Sequence, residues 1–463
     1  MNRETGGARE PNAAHAGEAA RAAPPRLTGW HVLAIAAPVV ISNASVPLQG
    51  AVDTIIIGNL GEVAPLAAVG IAAQIFSLLL GSFNFLQIGV SGLSAQALGR
   101  RAMDETATIF TRGLLLAFAI GALMILGQSA IAWAGLAMFE GGAETEAMAA
   151  RYIAIRIWGA PAELGVYVLF GWFAGQGLTR NLVTIQLVAA ALNVALNCLF
   201  VLGLGWGVEG VALGTAIASY GGLGFGLWLA RRRIRAAAPA WRPERGDLLD
   251  QAALARLFKL NRDIFIRTFL LLAAFAWMAR LGSLQGDAIL AANVVLWQFF
   301  LVSAYGLDGF AIAAETLTGQ AIGARDRRRF DRAVWLTTLW SFGLAAAASI
   351  VFLAASGAII DLFSTAPEVR EIARRYALWA CLIPLMGVAA FELDGIFIGA
   401  TASREMRDSM IVSSAIFFPL SYALMSAFGN HGMWAAVWIW LLVRAATLAV
   451  KLPALRERAT DPV

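Results

Sequence analysis

Long apolar runs dominate the chain from Trp30 onward and alternate with short polar segments. Each run has roughly 20 to 28 residues, long enough for an α-helix to cross about 30 Å of hydrocarbon. The signal is continuous apolarity rather than a one-sided helical stripe. We therefore predict twelve membrane spans, numbered in chain order: 29–57, 64–90, 108–136, 150–175, 182–203, 209–230, 263–282, 288–316, 333–360, 374–399, 409–428 and 433–452.

Composition strengthens this interpretation. Of the 463 residues, 59% are apolar and only 14% are charged, whereas a soluble domain carries about 25% charged residues. The sequence pI near 9.6 therefore reflects basic loops, and we expect no nucleic-acid partner. Cys198 and Cys381 lie within apolar runs, which argues against a disulfide scaffold. His15, His31 and His431 lack metal-ligand spacing, and no metal site is predicted.

Positive charge is concentrated in the loops that follow even-numbered spans. These loops carry Arg100, Arg101, Arg180, Arg231, Arg232, Arg233, Arg235, Arg325, Arg327, Arg328, Arg329, Arg404, Arg407, Arg456 and Arg458. Loops after odd-numbered spans are nearly free of bases, except after span nine, where arginines mix with glutamates. By the positive-inside rule, we expect both termini to be cytoplasmic, which requires an even number of spans.

The sequence also repeats itself at a constant offset of 224 positions. Shared Arg and Gln residues are the strongest sign, because apolar composition alone cannot produce them. The pairs include Gln74 and Gln298, Gln96 and Gln320, Arg101 and Arg325, Arg151 and Arg375, Arg180 and Arg404, Gly171 and Gly395, and Gly175 and Gly399. Each copy holds six spans and enters the bilayer in the same direction, so the two should be related by an axis along the membrane normal.

The predicted fold is an all-α membrane protein of twelve transmembrane helices in two six-helix lobes related by a pseudo-two-fold axis. A disordered cytoplasmic tail (1–27) precedes the N-terminal lobe (28–230), a cytoplasmic linker (231–262), the C-terminal lobe (263–455) and a short cytoplasmic tail (456–463). A cavity between two lobes suits a carrier that works by alternating access, and a channel would more often use several identical subunits.

Ionisable residues inside spans are costly, at least ~2.5–3.5 kcal/mol each, so each requires an explanation. Asp53 in span one shares a helix face with Ser42 and Gln49 if the helix is regular. It is a candidate for binding a proton or cation. The alternative is a structural ion pair with a base from another span, such as Arg156 or Arg267.

Span five carries three amides, Gln186, Asn193 and Asn197, whose spacing places them on one helix face. Together with Asn43 and Gln49 of span one they are candidates for a substrate pocket. The alternative is that they form amide contacts between helices, which are common in membranes.

The second half carries four further candidate acids for proton or cation coupling. Asp308 and Glu315 share one face of span eight, whereas Glu392 and Asp394 point to roughly opposite sides of span ten. Each pair has the alternative of binding an arginine. The repeat does not preserve the acids: Asp53 corresponds to Trp277, Asp308 to Asn84, and Asp394 to Phe170.

Several segments resemble the multidrug and toxic compound extrusion (MATE) family. They are APVVISNASVPLQGAVDTIIIGNLG, GVSGLSAQALGRR, GLGWGVEGVALGTAIA and, in a form similar to the DinF branch, AYGLDGFAIAAETLTGQAIGARD and FELDGIFIGATASREMRDSM. The resemblance covers nearly the whole chain after residue 28. It implies two six-helix lobes and export of organic cations or toxic compounds in exchange for protons or sodium.

The resemblance also implies roles for individual residues. Asp53 stands where the family keeps an aspartate whose protonation is linked to bending of span one at a proline, here Pro38. Asn193 matches a pocket asparagine, and Asp394 matches the aspartate of an Asp-Gly pattern in span ten. Asn197 departs from the aspartate of many relatives, which weakens a first-lobe sodium site and favours protons. Span seven lacks the acid that another branch of the family uses to bind sodium in the second lobe.

The sequence therefore predicts a secondary antiporter of the inner membrane that exports drugs or toxic metabolites in exchange for protons or sodium. We expect a monomer surrounded by lipids, with a small-molecule substrate, no enzymatic activity and no cofactor beyond the coupling ion. Two alternatives stay open: a flippase for a lipid-linked substrate and an exporter of a small organic anion. A flippase predicts a cavity rich in basic residues, whereas few arginines lie mid-span.

Overall fold

The computed structural model describes residues 27–58, 63–138, 142–243, 245–248 and 250–460, with side chains described except at 44–58, 63 and 245. Helices make up nearly all of the described chain. They are Gly29–Gly58, Val63–Gly81, Phe85–Gly99, Met103–Leu126, Gln128–Leu136, Ala143–Arg156, Ile157–Gly159, Ala160–Gly175, Thr179–Asn197, Cys198–Gly203, Gly207–Ala237, Arg245–Leu248, Gln251–Ser283, Asp287–Gly323, Arg327–Phe363, Pro367–Cys381, Ile383–Gly399, Ser403–Ala449 and Leu452–Arg458.

The helices correspond to the twelve predicted spans. In the described chain, nine helical stretches are long and apolar enough to cross a membrane, and the bent pair Pro367–Cys381 and Ile383–Gly399 makes a tenth. The 30-residue helix Gly29–Gly58 supplies span one. The stretch Ser403–Arg458, counted once, contains the last two spans because the chain reverses within it. The predicted fold is confirmed.

The reversal between spans eleven and twelve occurs at Gly429, whose φ of 59° and ψ of −140° leave the helical region. Glycine adopts a positive φ at no steric cost, so it suits this turn. Ser409 and Thr447 lie side by side across the hairpin, with hydroxyl oxygens 2.6 Å apart. Close to the turn, Gly432 packs against the carbonyl of Leu424. The two segments are therefore antiparallel neighbours.

The duplication is visible in how the helices pack. Gly171 of span four packs against the Gln87 carbonyl of span two. The corresponding Gly395 of span ten packs against the Ala311 carbonyl of span eight, at the same offset of 224 positions. Spans four and ten are also both broken, at Ile157–Gly159 and at Leu382 respectively, and the second break bends the helix pair by 41°.

Each half forms its own apolar core. One core, drawn from spans two to six, includes Phe110, Trp172 and Phe173; the other, drawn from spans seven to twelve, includes Phe299 and Trp434. The helix of span six continues to Ala237 and that of span seven begins at Gln251, so both extend into the predicted linker. The domain boundaries stay predictions.

Candidate functional site

The predicted coupling acid of the first lobe lies in the helix Gly29–Gly58, which also contains Pro38. The side chains of Asp53 and Gln49 lie outside the described residues. The two arginines considered as partners of Asp53 have acids of their own. Arg156 pairs with Glu163 of span four, and Arg267 pairs with Asp394 of span ten.

Uncharged polar side chains connect spans one, five and six of the first lobe. The Ser42 hydroxyl of span one donates to the Gln186 side-chain oxygen of span five. One turn before the end of span five's α-helix, the Asn193 amide donates to the Thr215 hydroxyl of span six at 2.9 Å. Asn197, fully buried, donates to Asn193 at 3.4 Å. The three span-five amides therefore lie along one row: Gln186 contacts span one, whereas Asn193 and Asn197 are bonded to each other and, through Asn193, to span six.

Asn43 has a different position from the other predicted pocket residues. Its amide donates to the backbone carbonyl of Tyr305 in span eight at 3.2 Å. Span one thereby contacts the second lobe directly. The same two helices meet again where Gly309 packs against Val40 and the Ala36 carbonyl.

The second lobe contains a buried charge cluster around Asp394. The same carboxylate oxygen of Asp394 accepts from Arg267 of span seven and from Arg444 of span twelve. The three side chains are only 8%, 11% and 5% exposed, respectively. Asp308 of span eight interacts electrostatically with both arginines. Two acids thus face two guanidinium groups, and the cluster is balanced in charge.

Glu392 lies two residues from Asp394 and faces another neighbour. Its carboxylate accepts a hydrogen bond from Ser341 of span nine at 2.6 Å, and its Oε1 has no hydrogen-bond partner among the described residues. The side chain is 3% exposed. The two acids of span ten therefore contact different helices.

Glu315 lies where the two lobes meet, at the end of the bundle that carries the arginines after even-numbered spans, hereafter the basic end. It is 5% exposed, and its carboxylate lies against Ser91 of span two. It has no recorded contact with the cluster around Asp394, so the four predicted coupling acids whose side chains are described do not form one site.

Hydrogen bonds close the contact between the lobes at the basic end, hereafter the seam. The Gln96 amide of span two donates to the Gly399 carbonyl at 2.9 Å, and the Gln320 amide of span eight donates to the Gly175 carbonyl at 3.4 Å. The two bonds are equivalent, because adding 224 to the residue numbers of one lobe gives those of the other. The close contacts of Gly99 with the Gln320 carbonyl and of Gly323 with the Gln96 carbonyl are equivalent in the same way. The repeat pairs were visible in the sequence, but their role in joining the lobes was not.

A small apolar cavity of about 170 Å³ lies between spans seven, eight and twelve. Aromatic and sulfur-containing side chains, Phe275, Trp297, Trp434 and Met278, supply much of its lining, and Asn293 adds an amide. No sequence prediction named these residues, since aromatic side chains in spans are common in packing. Sequence analysis also did not identify Arg444, a buried arginine of span twelve that binds the predicted coupling acid Asp394.

The MatE family model matches the chain twice, at residues 38–199 and at residues 264–425. The chain belongs to the MatE family. One model matching each half confirms the predicted duplication, and family membership confirms the resemblance found in the sequence. The protein is thus a multi-pass membrane protein of the multidrug and toxin extrusion transporters, a family that binds small-molecule substrates and uses ion gradients.

The similarity extends over almost the entire chain. DNA damage-inducible protein F of Escherichia coli (strain K12) is 37% identical over 424 residues, covering 91% of this chain and 90% of its own length. Multidrug and toxin extrusion protein 1 of Homo sapiens is 23% identical over 431 residues, covering 89% and 72%. The first similarity confirms the DinF branch.

Solved structures share the fold. The Vibrio cholerae MATE transporter VcmN in the bent form superposes with a TM-score of 0.83 at 17% identity, covering 93% of this chain and 97% of that one. A structure described as the outward-facing conformation of a MATE family transporter gives a TM-score of 0.80 at 18% identity, with the same coverage.

Proposed function

We propose that the protein is a proton-coupled antiporter of the inner membrane that exports organic cations, drugs or toxic metabolites, with Asp53 as its coupling acid. Both termini lie in the cytoplasm, and the chain works as a monomer. Protons entering from outside neutralise Asp53, the pocket around span one rearranges, and the substrate leaves outward. Amides at Asn43, Gln49, Gln186 and Asn193 contact the substrate.

The observation that carries this proposal is the contrast between the uncharged side chains that join spans one, five and six and the buried charge cluster of the second lobe. Span one meets span five through Ser42 and Gln186, and span five meets span six through Asn193 and Thr215; these side chains and Asn197 are all uncharged. In such surroundings, the ionised form of an acid can accept hydrogen bonds from hydroxyl and amide groups. It also meets no permanent cation in that row that would hold it ionised.

The repeat indicates where Asp53 acts. Its counterpart in the second lobe, Trp277, donates its indole N–H to the Ser421 hydroxyl at 3.0 Å, and Ser421 is the counterpart of Asn197. The proposal therefore assigns Asn197 as the residue that acts together with Asp53. A neutral amide there supplies hydrogen bonds but no second negative charge, and a sodium ion prefers more oxygen charge, so protons are favoured as the coupling ion.

The second-lobe acids fit this role less well. Asp394 binds two guanidinium groups in this structure, and cations this close to a carboxylate stabilise its ionised form. Its cluster is balanced by Asp308, so it supplies no net positive charge for lipid phosphates or organic anions. The flippase and anion-exporter alternatives therefore gain no support from these arginines.

Exchange in proteoliposomes tests the proposal. Efflux of a fluorescent organic cation is measured with a proton gradient and, separately, with a sodium gradient. We expect the proton gradient alone to drive efflux in the wild type and Asp53→Asn to abolish it, while Glu392→Gln serves as the control. Full gradient-driven efflux by Asp53→Asn, or efflux driven by sodium alone, contradicts the proposal.

A further inference from the structure

The seam contains a buried acid whose repeat partner is not ionisable. Glu315 of span eight and Ser91 of span two are repeat partners, 224 positions apart, and their side chains lie against each other across the pseudo-two-fold axis. Their backbones pack alike, since the Ser91 carbonyl contacts Gly175 and the Glu315 carbonyl contacts Gly399. The axis therefore passes close to a glutamate that faces a serine.

Among the described side chains, no cation pairs with Glu315. The carboxylate is 5% exposed and lies against the Ser91 hydroxyl, while its Oε1 and the buried hydroxyl of Ser94 have no hydrogen-bond partner among the described residues. Moving an ionised carboxylate from water into such a site costs several kcal/mol unless a cation or several donors accompany it. The closed seam therefore accommodates the neutral acid better than the carboxylate.

Most ionisable groups on the neighbouring helices have other partners. The exception is Arg329 of the span-nine helix, which lies beside Gly323 and whose buried Nε has no hydrogen-bond partner among the described residues. Helix Phe85–Gly99 of span two has no titratable residue, and the side chains described in span one include only His31, which bonds to Thr28. The groups of spans four, seven, nine and ten that pair with other partners are Glu163 with Arg156, Asp263 with Arg407, Arg267 and Asp394 with each other, Asp331 with Arg456, Arg332 with Trp335, Glu392 with Ser341, and Arg374 with Asp361.

We propose that Glu315 is a proton-binding site of the seam, protonated while the lobes are joined at the basic end and ionised when they separate there. This inference rests on the proposed antiport by alternating access and on a cytoplasmic basic end. The proton is taken up from the cytoplasm on closure and returned to it on opening, because the group is buried in the closed state. Glu315 thus links closure to cytoplasmic pH and adds nothing to the number of protons transported per cycle.

The sign of the pH effect follows from linkage. A group that binds a proton more tightly in the closed state makes closure more favourable at low pH, and the advantage is lost as the pH rises. For one site, the ratio of closed to open seam should fall by at most about tenfold per pH unit, within the range where Glu315 ionises. Glu315→Gln imitates the neutral acid and should abolish this dependence.

Distances between spin labels test the proposal. Labels are attached through Arg180→Cys and Arg404→Cys, two exposed repeat partners at the basic end, in a protein whose Cys198 and Cys381 are replaced by alanine. Double electron–electron resonance on the purified full chain in lipid nanodiscs then gives the closed and open populations between low and high pH, in potassium and in sodium buffers.

We expect the open population to grow with pH in the parent protein, in Glu392→Gln and in Asp53→Asn, and to stay low at every pH in Glu315→Gln. Glu392→Gln is a matched control because that glutamate is also buried with an unpartnered Oε1, but away from the seam. An unchanged pH response in Glu315→Gln overturns the inference, as does opening that depends on sodium rather than pH. A pH response lost only in Asp53→Asn also overturns it and leaves the proposed coupling role of Asp53 standing.

Discussion

The two lobes share a backbone plan but place their polar groups differently. In span five of the first lobe, positions 186, 193 and 197 are amides: Gln186 bonds to span one, Asn193 bonds to span six, and Asn197 bonds to Asn193. The corresponding positions of span eleven are Met410, Phe417 and Ser421, and the first two are fully buried in the apolar core. The second lobe instead concentrates charge around Asp394.

This difference shows that duplication preserved packing and not chemistry. Glycine contacts such as Gly171 with Gln87 recur in the second lobe because two backbones must come close there, and only glycine permits it. Asp394, by contrast, replaces Phe170 of the first lobe and requires two arginines that the first lobe lacks at the matching positions, Asn43 and Tyr220. A polar first lobe and a charge-balanced second lobe suit different tasks.

The largest expected effect is on the charge cluster of the second lobe. Asp394→Asn leaves the two guanidinium groups of the cluster with Asp308 as their remaining acid and thus with a net positive charge, and breaking a buried ion pair by removing one partner costs about 3–5 kcal/mol. The free energy of unfolding in detergent should fall by that amount. Replacing both acids, Asp394 and Asp308, by leucine and both arginines by methionine should restore most of it, whereas unchanged stability in Asp394→Asn contradicts a structural role for this acid.

The matched positions 193 and 417 sharpen the comparison. The Phe417 side chain is 1% exposed. Phe417→Ala removes this buried ring and leaves a cavity, which should lower the free energy of unfolding by about 3–5 kcal/mol. Asn193→Ala removes hydrogen bonds worth about 1 kcal/mol and should mainly weaken substrate binding. Thermal unfolding and substrate titration of both variants distinguish the two outcomes. Equal losses of stability would remove the difference between the lobes.

At the seam, we expect equivalent substitutions in the two lobes to have equal effects on stability and transport. Gly99→Ala and Gly323→Ala each place a methyl group against a glutamine carbonyl of the other lobe, and such overpacking costs about 1–3 kcal/mol. We expect similar losses of stability and of transport from both. Gly343→Ala is the control, because a methyl group there meets no atom within 4 Å. Unequal effects at positions 99 and 323 contradict a symmetric seam.

Much of the fold could be predicted from the sequence because the physical signals are strong. Twelve apolar runs, arginines after even spans and a repeat without gaps require an even-numbered helical bundle in two halves. The partners of individual side chains were less predictable. Spacing placed Glu392 and Asp394 on different sides of span ten, but it did not reveal Arg444, because the position of one helix beside another depends on the packing of the whole lobe.

The seam illustrates the same limit. Gln96 and Gln320 stood out as a repeat pair, but their bonds to Gly399 and Gly175 cross between lobes. No local pattern encodes a contact between residues about 300 positions apart in a chain. Similarly, the predicted coupling acids are all carboxylates, so the sequence alone could not distinguish them. The neighbours of each side chain in the structure show that Glu315 lies at the seam and Asp394 lies in the charge cluster.

The central claim is that the coupling proton is bound in the first lobe, at Asp53. The most direct test is to count the protons released when the purified transporter binds an organic cation in weakly buffered solution. We expect release from the wild type and from Glu392→Gln, and none from Asp53→Asn, which should still bind the cation. Undiminished proton release by Asp53→Asn contradicts the account.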